Sequence, residues 1–146
     1  MQDVNIYIGT SFHGPARRDG EYIYILECIR DRIPITREGR GRMEGTTENQ
    51  LALTALAEAL DRIICPCQIR VHTSCQYILN SIQTGWVKQW QENGWRTAKG
   101  TEVRNAGLWA GIMDRLGWHL YTFVDEDHTY RGWMEEQFKS DGKSYR

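Results

Sequence analysis

A segment rich in tryptophan and basic residues runs from Trp86 to Trp109 and contains four of the chain's six tryptophans. Cationic side chains neutralise nucleic-acid phosphates and release counterions, and an indole ring offers a flat apolar face to a base or a sugar. This composition favours a nucleic-acid surface. The residues of this segment assigned to it are Trp86, Lys88, Trp90, Trp95, Arg96, Lys99 and Arg104.

The tryptophan spacing also fits a second interpretation. Trp86 and Trp90 are four residues apart, so both can lie on the core-facing side of one helix. The segment alone leaves both interpretations open.

The composition is that of a globular protein. The chain has 146 residues, 40% of them apolar, and a formal charge of -1, so a nucleic-acid site has to be a local basic patch. We expect one domain over residues 1–140 and a tail over 141–146. No apolar run is long enough to span a bilayer, and the N-terminal residues do not resemble a secretion signal. The expected location is the cytoplasm.

The four cysteines are Cys28, Cys65, Cys67 and Cys75. Disulfides are uncommon in a reducing compartment. The Cys65-Pro66-Cys67 spacing is not that of a C-x-x-C metal site, and no second pair completes four ligands. We therefore expect buried free cysteines and no bound metal.

Hydrophobic patterning and turn residues predict an order of strands and helices. Antiparallel strands come first, and then strand and helix alternate. A polar, glycine-rich loop with the sequence REGRGRMEG is expected after the third strand. The predicted strands are Val4–Ile8, Glu21–Arg30, Arg32–Arg37, Gln68–Thr73 and His119–Val124. The first predicted helix begins at Thr46–Asn49 and ends before Cys65. The other predicted helices span Cys75–Ile82, Gly107–Leu116 and Arg131–Lys139.

Four segments in this order are similar to type 1 ribonuclease H. VNIYIGTS resembles the first strand of that family, TTENQLALTALAEAL its first helix, and VHTSCQYILNSI its fourth strand and the helix after it. WVKQWQENGWRTAKGTEVRNAGLW resembles its basic handle. The resemblance is colinear from Val4 to Val124 and implies an α/β fold of the ribonuclease H type, with a central mixed five-stranded sheet and helices on both faces.

The family's reaction uses two divalent cations held by carboxylates. By the resemblance, three of these carboxylate positions are Gly9, Ala52 and Ser74, none of which can replace a carboxylate. The fourth corresponds to Glu135, with Glu136 behind it, and the family's loop histidine corresponds to His128 after the acidic residues 125–127. We therefore expect no intact catalytic set and no metal cofactor, with Mg²⁺ or Mn²⁺ needed only for residual activity.

The resemblance implies that the binding positions persist. Thr47 lies where the family binds a DNA phosphate, and Asn49, Gln76 and Trp86 match positions that touch the hybrid or support that contact. A hydroxyl at a helix N-terminus is beside free N–H groups and a positive dipole end. Alternatively, Thr47 has only the structural role of a helix cap. Asn49 and Gln76 can likewise be solvated surface amides without a binding role.

Three functions follow as hypotheses. The preferred one is an inactive domain that binds RNA/DNA hybrid or duplex RNA by groove shape, 2′-hydroxyls and phosphates. The second is a module that uses the same scaffold to bind a protein partner. The third is weak metal-dependent hydrolysis, with Glu135 joined by Glu44, Glu48 or the acidic residues 125–127. No membrane association is expected.

Overall fold

The computed structural model describes residues 1–125 and 128–144, and the side chains of residues 1–125 and 128–139. The strands are β1 (Gln2–Thr10), β2 (Arg18–Arg30), β3 (Ile33–Thr46), β4 (Cys67–His72) and β5 (Leu120–Val124). The helices are α1 (Glu48–Asp61), α2 (Gln76–Gln83), α3 (Trp86–Glu92), α4 (Ala106–Leu116) and α5 (Arg131–Ser144). None of the helices within the described ranges is long and apolar enough to cross a membrane.

The strands form one mixed sheet in the order β3-β2-β1-β4-β5. The first three strands are antiparallel neighbours, and β4 and β5 run parallel to β1. The C-terminal ends of β1, β4 and β5 therefore meet at one edge of the sheet, where α/β folds commonly place their functional groups. The predicted mixed five-stranded sheet is confirmed.

Helices cover both faces of the sheet. The larger core contains Leu51, Leu53 and Leu56 of α1, packed with residues of the sheet and of α4, among them the fully buried Trp109. On the other face, Met134 of α5 packs against Tyr7, Ile23 and Ile25. Because both faces of the sheet are covered, β2 has apolar residues on both of its sides and no polar face.

The expected glycine-rich loop after the third strand is wrong, because REGRGRMEG lies within β3. Gly39 and Gly41 are opposite Tyr24 and Tyr22 of β2. A Cβ at Gly39 or Gly41 would clash with the side chain of the tyrosine opposite it. The rings therefore occupy the space left by the missing side chains, and this cross-strand packing compensates for the low strand propensity of glycine.

Two other expectations require adjustment. Helix α5 continues to Ser144, beyond the predicted end at Lys139. The prediction of buried cysteines holds for Cys67 and Cys75, whereas Cys28 is half-buried and Cys65 is exposed. Cys65 is exposed because it lies in the connection between α1 and β4, outside the sheet.

Candidate nucleic-acid interface

A cavity of about 320 Å³ lies at the C-terminal ends of β1, β4 and β5, beside α5. We call it the strand-end cavity. Its walls combine residues that follow these three strands with the inner face of α5, as the parallel arrangement requires. The lining residues are Ile8, Gly9, Thr10, His13, Ser74, Asp125, His128, Arg131, Met134, Glu135 and Phe138.

Gly9 lies in this wall at the end of β1, and Met134 closes the space above it. A Cβ added to Gly9 would lie only 2.6 Å from Met134 Sδ, well inside van der Waals contact. Met134 is almost fully buried. The thioether therefore occupies the volume into which a longer residue at position 9 would extend.

Hydrogen bonds fix the acidic and histidine side chains around the cavity. Asp125 accepts a hydrogen bond from Gln76 Nε2 at 2.9 Å, and Glu135 Oε1 lies 3.4 Å from Arg131 Nε. His128 Nδ1 accepts the backbone N–H of Tyr130 at 3.2 Å, so the neutral ring carries its proton on Nε2. The predicted acidic residues Glu126 and Asp127 lie outside the described residues.

Below the cavity, a polar network connects β1, β2 and the start of α5. Glu27 accepts hydrogen bonds from Asn5, Tyr7 and Tyr130, the last at 2.6 Å. The hydrogen bond to Glu27, together with burial, raises the pKa of Tyr130 to about 12. Both tyrosines therefore remain neutral donors at physiological pH, and Tyr7 also stacks on His72 at 4.4 Å. This network positions the segment that carries His128.

A second cleft of about 450 Å³ lies at the N-terminal end of α1. We call it the α1 cleft. Thr47 caps the helix by accepting the backbone N–H of Gln50 at 3.1 Å, which is the structural role proposed for it as the alternative. The cleft also contains basic side chains beside this helix end. Its lining residues are Gly14, Pro15, Arg17, Thr47, Glu48, Asn49, Gln50, Arg104 and Asn105.

Glu48 belongs to the α1 cleft. Its carboxylate interacts with His13 Nδ1 at 3.0 Å and accepts the backbone N–H of Gly14 at 3.1 Å. Glu48 is therefore engaged with the β1–β2 loop, and neither it nor Glu44 lines the strand-end cavity. Of the substitute metal ligands considered from the sequence, the cavity brings together Glu135 and Asp125.

The two predicted contact amides lie at different sites. Asn49 lines the α1 cleft, and its Oδ1 accepts the Cys75 thiol at 3.5 Å, which joins the starts of α1 and α2. Gln76 is exposed and binds Asp125 of the strand-end cavity. Both amides thus have intramolecular partners.

The tryptophans of the handle (residues 86–109) form a series from the surface to the core. Trp86 is 49% exposed, Trp90 and Trp95 pack against the core, and Trp109 is completely buried. The ring centroids of Trp86 and Trp90 lie 6.4 Å apart, and those of Trp90 and Trp109 lie 6.5 Å apart. The core interpretation of Trp86 and Trp90 therefore holds in part for Trp90, whereas Trp86 offers a ring to solvent.

The cations of the handle all face solvent. Lys88 lies on α3, and Lys99 lies in the loop that follows it. Arg96 donates to the carbonyl of Gly100 at 3.0 Å, and its backbone forms an isolated bridge with Glu102. The handle is thus anchored by indole rings, and it exposes four cations, Lys88, Arg96, Lys99 and Arg104, together with two acids, Glu92 and Glu102.

Comparisons with known proteins identify the family. A family model described as RNase H matches residues 1–119. A ribonuclease H of Chlorobium phaeobacteroides (strain BS1) is 32% identical over 106 residues, which are 73% of this chain and 70% of that protein. The chain belongs to the ribonuclease H family.

Solved structures agree on the fold. LC9-RNase H1, described as a type 1 RNase H with the type 2 active-site motif, matches with a TM-score of 0.73 at 21% identity over 95% of this chain and 69% of that one. A foamy viral protease-reverse transcriptase solved with dsDNA matches with a TM-score of 0.69 at 14% identity over 97% of this chain and 92% of that one. The recognition from sequence is confirmed.

By the sequence resemblance, three of the family's carboxylate positions correspond to Gly9, Ala52 and Ser74. Gly9 has no side chain, Ala52 is completely buried in the core, and Ser74 offers only a hydroxyl. In the described part of the strand-end cavity the carboxylates are Asp125 and Glu135. Two magnesium ions close together need several carboxylate ligands to balance their charge, and the described residues bring two carboxylates to this cavity.

The sequence did not identify two residues of these sites. Arg17 lies in a turn-rich loop far from α1 in sequence, and the fold places it in the α1 cleft, where it donates to the carbonyl of Gly45 at 2.8 Å. Met134 appeared only as part of a helix. The adjacent arginines after Gly14-Pro15 were the available signal for Arg17, whereas the contact between Met134 and Gly9 depends on tertiary packing.

Proposed function

We propose that this chain is a ribonuclease H-family domain that binds RNA/DNA hybrid or another RNA-containing duplex and has lost two-metal hydrolysis. The observation that carries the proposal is at Gly9. The position that corresponds to a family carboxylate has no side chain, and Met134 Sδ lies 2.6 Å from where its Cβ would be. Loss of the carboxylate is thus accompanied by packing that fills the space.

The surface beside this position retains features suited to nucleic-acid binding. Arg17 and Arg104 line the same cleft as Thr47, next to the N-terminal end of α1. Backbone N–H groups, the positive helix end and nearby guanidinium groups together favour a phosphate. Arg104 also belongs to the handle, whose other exposed cations, Lys88, Arg96 and Lys99, add to the positive charge of this surface.

Related folds bind the same class of ligand. One foamy viral protease-reverse transcriptase structure contains an RNA/DNA hybrid and another contains dsDNA, and LC11-RNase H1 has been solved with an RNA/DNA hybrid. These proteins support a nucleic-acid partner for this chain. The formal charge of -1 means that binding depends on the local patch and therefore falls steeply with salt.

Residual hydrolysis is the competing function, because Asp125 and Glu135 line one cavity. Hydrolysis by a single Mg²⁺ or Mn²⁺ ion held by both side chains would be lost when either carboxylate is removed. Purified Glu135→Gln provides the test. If cleavage of the hybrid is detected and disappears in this variant, the proposal of an inactive domain is wrong.

The binding test is fluorescence anisotropy with labelled RNA/DNA hybrid, duplex RNA and duplex DNA over a series of salt concentrations. We expect the hybrid or duplex RNA to bind best, with a logarithmic salt slope that falls by about 1 for each phosphate contact removed. The variant Lys88→Ala/Arg96→Ala/Lys99→Ala removes three exposed cations of the handle.

The matched control is Arg30→Ala/Arg32→Ala/Arg37→Ala, which changes the net charge equally at the β2–β3 hairpin. We expect the control to bind like the unmodified chain. Equal loss of affinity in both triple variants would show only a dependence on net charge and would contradict the assigned surface. Absence of affinity for every duplex would favour a protein partner instead.

A further inference from the structure

The segment between α1 and β4 brings two cysteine sulfurs together. Cys65 Sγ and Cys67 Sγ lie 3.9 Å apart, and the Cys67 thiol donates to the carbonyl of Cys65 at 3.2 Å. Pro66 separates them and restricts the backbone between them. The two thiols thus already face each other, and no part of the ribonuclease H reaction uses them.

The two sulfurs differ in access. Cys65 is exposed, whereas Cys67 is buried. Cys65 lines a cavity of about 210 Å³ together with Trp118 and His119. Ile64, which precedes it, is 95% exposed. A small solute can therefore reach Cys65 from an open pocket, whereas Cys67 does not line that pocket.

The position of Cys67 is fixed. Its backbone N–H donates to His119 Nδ1 at 3.0 Å, and it is paired with Gln2 at the first position of the β1–β4 ladder. Burial and the neighbouring Cys65 raise the pKa of the Cys67 thiol to about 11, so the thiol is mostly protonated at neutral pH and is slower than an exposed thiol to react with solutes. Cys65 lies before the strand begins and is not held by the β1–β4 ladder.

We propose that Cys65 and Cys67 are a reversible dithiol–disulfide site, oxidised by a hydroperoxide. The Cys65 thiolate attacks the peroxide, the O–O bond breaks, and the released oxygen takes a proton, which leaves a sulfenic acid on Cys65. The Cys67 sulfur then attacks the Cys65 sulfur, and its thiol proton leaves with the hydroxyl as water. Two thiols and one hydroperoxide become one disulfide, one alcohol or water, and one further water.

The small loop makes the oxidised form easy to reduce. Bond formation requires the sulfurs to move from 3.9 Å to about 2.05 Å. The ring closed by two cysteines with one residue between them is small, and strained or exposed disulfides are the labile ones. Reversible oxidation is also the behaviour expected of a disulfide in a reducing compartment.

The test is oxidation of the folded chain with one equivalent of hydrogen peroxide, followed by intact mass measurement, then alkylation of the remaining thiols and peptide mapping. We expect two of the four thiols to be lost, a mass decrease of two hydrogens, and a link between Cys65 and Cys67. Dithiothreitol should restore all the thiols. A protein that keeps its four thiols, or joins another pair, would overturn the proposal.

Variants separate the two steps. In Cys67→Ser the reaction should stop at a sulfenic acid on Cys65, which a dione reagent captures, and Cys65→Ser should not react. Because Cys67 lies in the core, Cys67→Ala is a second, apolar version of the same test. Cys28→Ser is the control, and it should form the disulfide like the unmodified chain. A disulfide that forms in Cys65→Ser would contradict the assignment.

Discussion

Met134 Sδ lies 2.6 Å from the point where a Cβ on Gly9 would be. The contact joins the end of β1 to the inner face of α5, and Met134 belongs to the small core with Tyr7, Ile23 and Ile25. The two positions are therefore coupled. A glycine permits the thioether to pack, and the thioether excludes a side chain at position 9.

This coupling predicts the effect of restoring a carboxylate. Gly9→Asp should lower the free energy of unfolding by about 1–3 kcal/mol, because the new side chain overpacks against Met134. Gly107→Asp is the control, since a Cβ there would meet nothing within 4 Å. The measurement is urea unfolding followed by circular dichroism.

The double variant Gly9→Asp/Met134→Ala identifies the cause. Removing the thioether opens the space, so the aspartate should cost less in the Met134→Ala background than alone. An equal cost in both backgrounds would show that Met134 is not the obstacle.

Thr47 caps α1, and substitutions can separate this effect on stability from its proposed contact with a nucleic-acid phosphate. Thr47→Ala removes the acceptor for Gln50 N–H and should cost about 0.5–2 kcal/mol of stability. Thr47→Asp retains a capping oxygen but places a negative charge in the α1 cleft, so stability should persist while affinity for a duplex falls. Urea unfolding and anisotropy measure the two effects, and Thr47→Ser should preserve both. Unchanged affinity in Thr47→Asp would leave Thr47 with capping alone.

The α1 cleft predicts a sequence-independent contribution from Arg17 and Arg104. Replacing either by alanine should weaken binding of all duplex sequences alike and lower the salt slope by about 1, as expected for a phosphate contact. Salt titrations with two hybrids of different sequence provide the measurement. A change in preference between the two hybrids would indicate a base contact instead.

His119 predicts a loss of stability in acid. Burial lowers the pKa of His119 below its usual value, and its Nδ1 accepts the Cys67 N–H, which requires an unprotonated nitrogen. Because the folded-state pKa is the lower one, its stabilisation is complete above about pH 6.5 and is lost as the pH falls below that value. The slope from this one group cannot exceed about 1.4 kcal/mol per pH unit.

Urea unfolding at several pH values tests this prediction. His119→Asn retains an acceptor for the Cys67 N–H and has no titrating ring, so its acid sensitivity should be smaller. His13→Asn, at an exposed position, serves as the comparison. Parallel stability profiles for His119→Asn and the unmodified chain would exclude His119 as the source.

Local patterns in the sequence predicted most of the fold. The Thr47 cap and the apolar face of α1 marked the first helix, and the strand and helix order together with the family resemblance predicted the mixed sheet. The predicted third strand ended at Arg37, and the rest of β3 was predicted as a loop, because Gly39 and Gly41 form a strand only when the side chains of Tyr24 and Tyr22 cover them. That contact joins two strands and leaves no local signal.

The candidate sites were predictable only where residue type alone marks a position. Residue types identified the cations of the handle and the altered positions Gly9, Ala52 and Ser74. Composition could not distinguish the exposed Trp86 from the buried Trp109, since both belong to one aromatic segment. Arg17 and Met134 reach their sites through chain folding alone, so their roles emerged only from the structure.

The central claim is that this domain binds an RNA-containing duplex without cleaving it. The most direct measurement is a titration of doubly labelled RNA/DNA hybrid with the purified chain in Mg²⁺, and separately in Mn²⁺, with affinity and strand length read from the same samples. We predict saturable, salt-sensitive binding with both strands intact after prolonged incubation. Shortened RNA whose formation is prevented by EDTA and by Glu135→Gln would contradict the account.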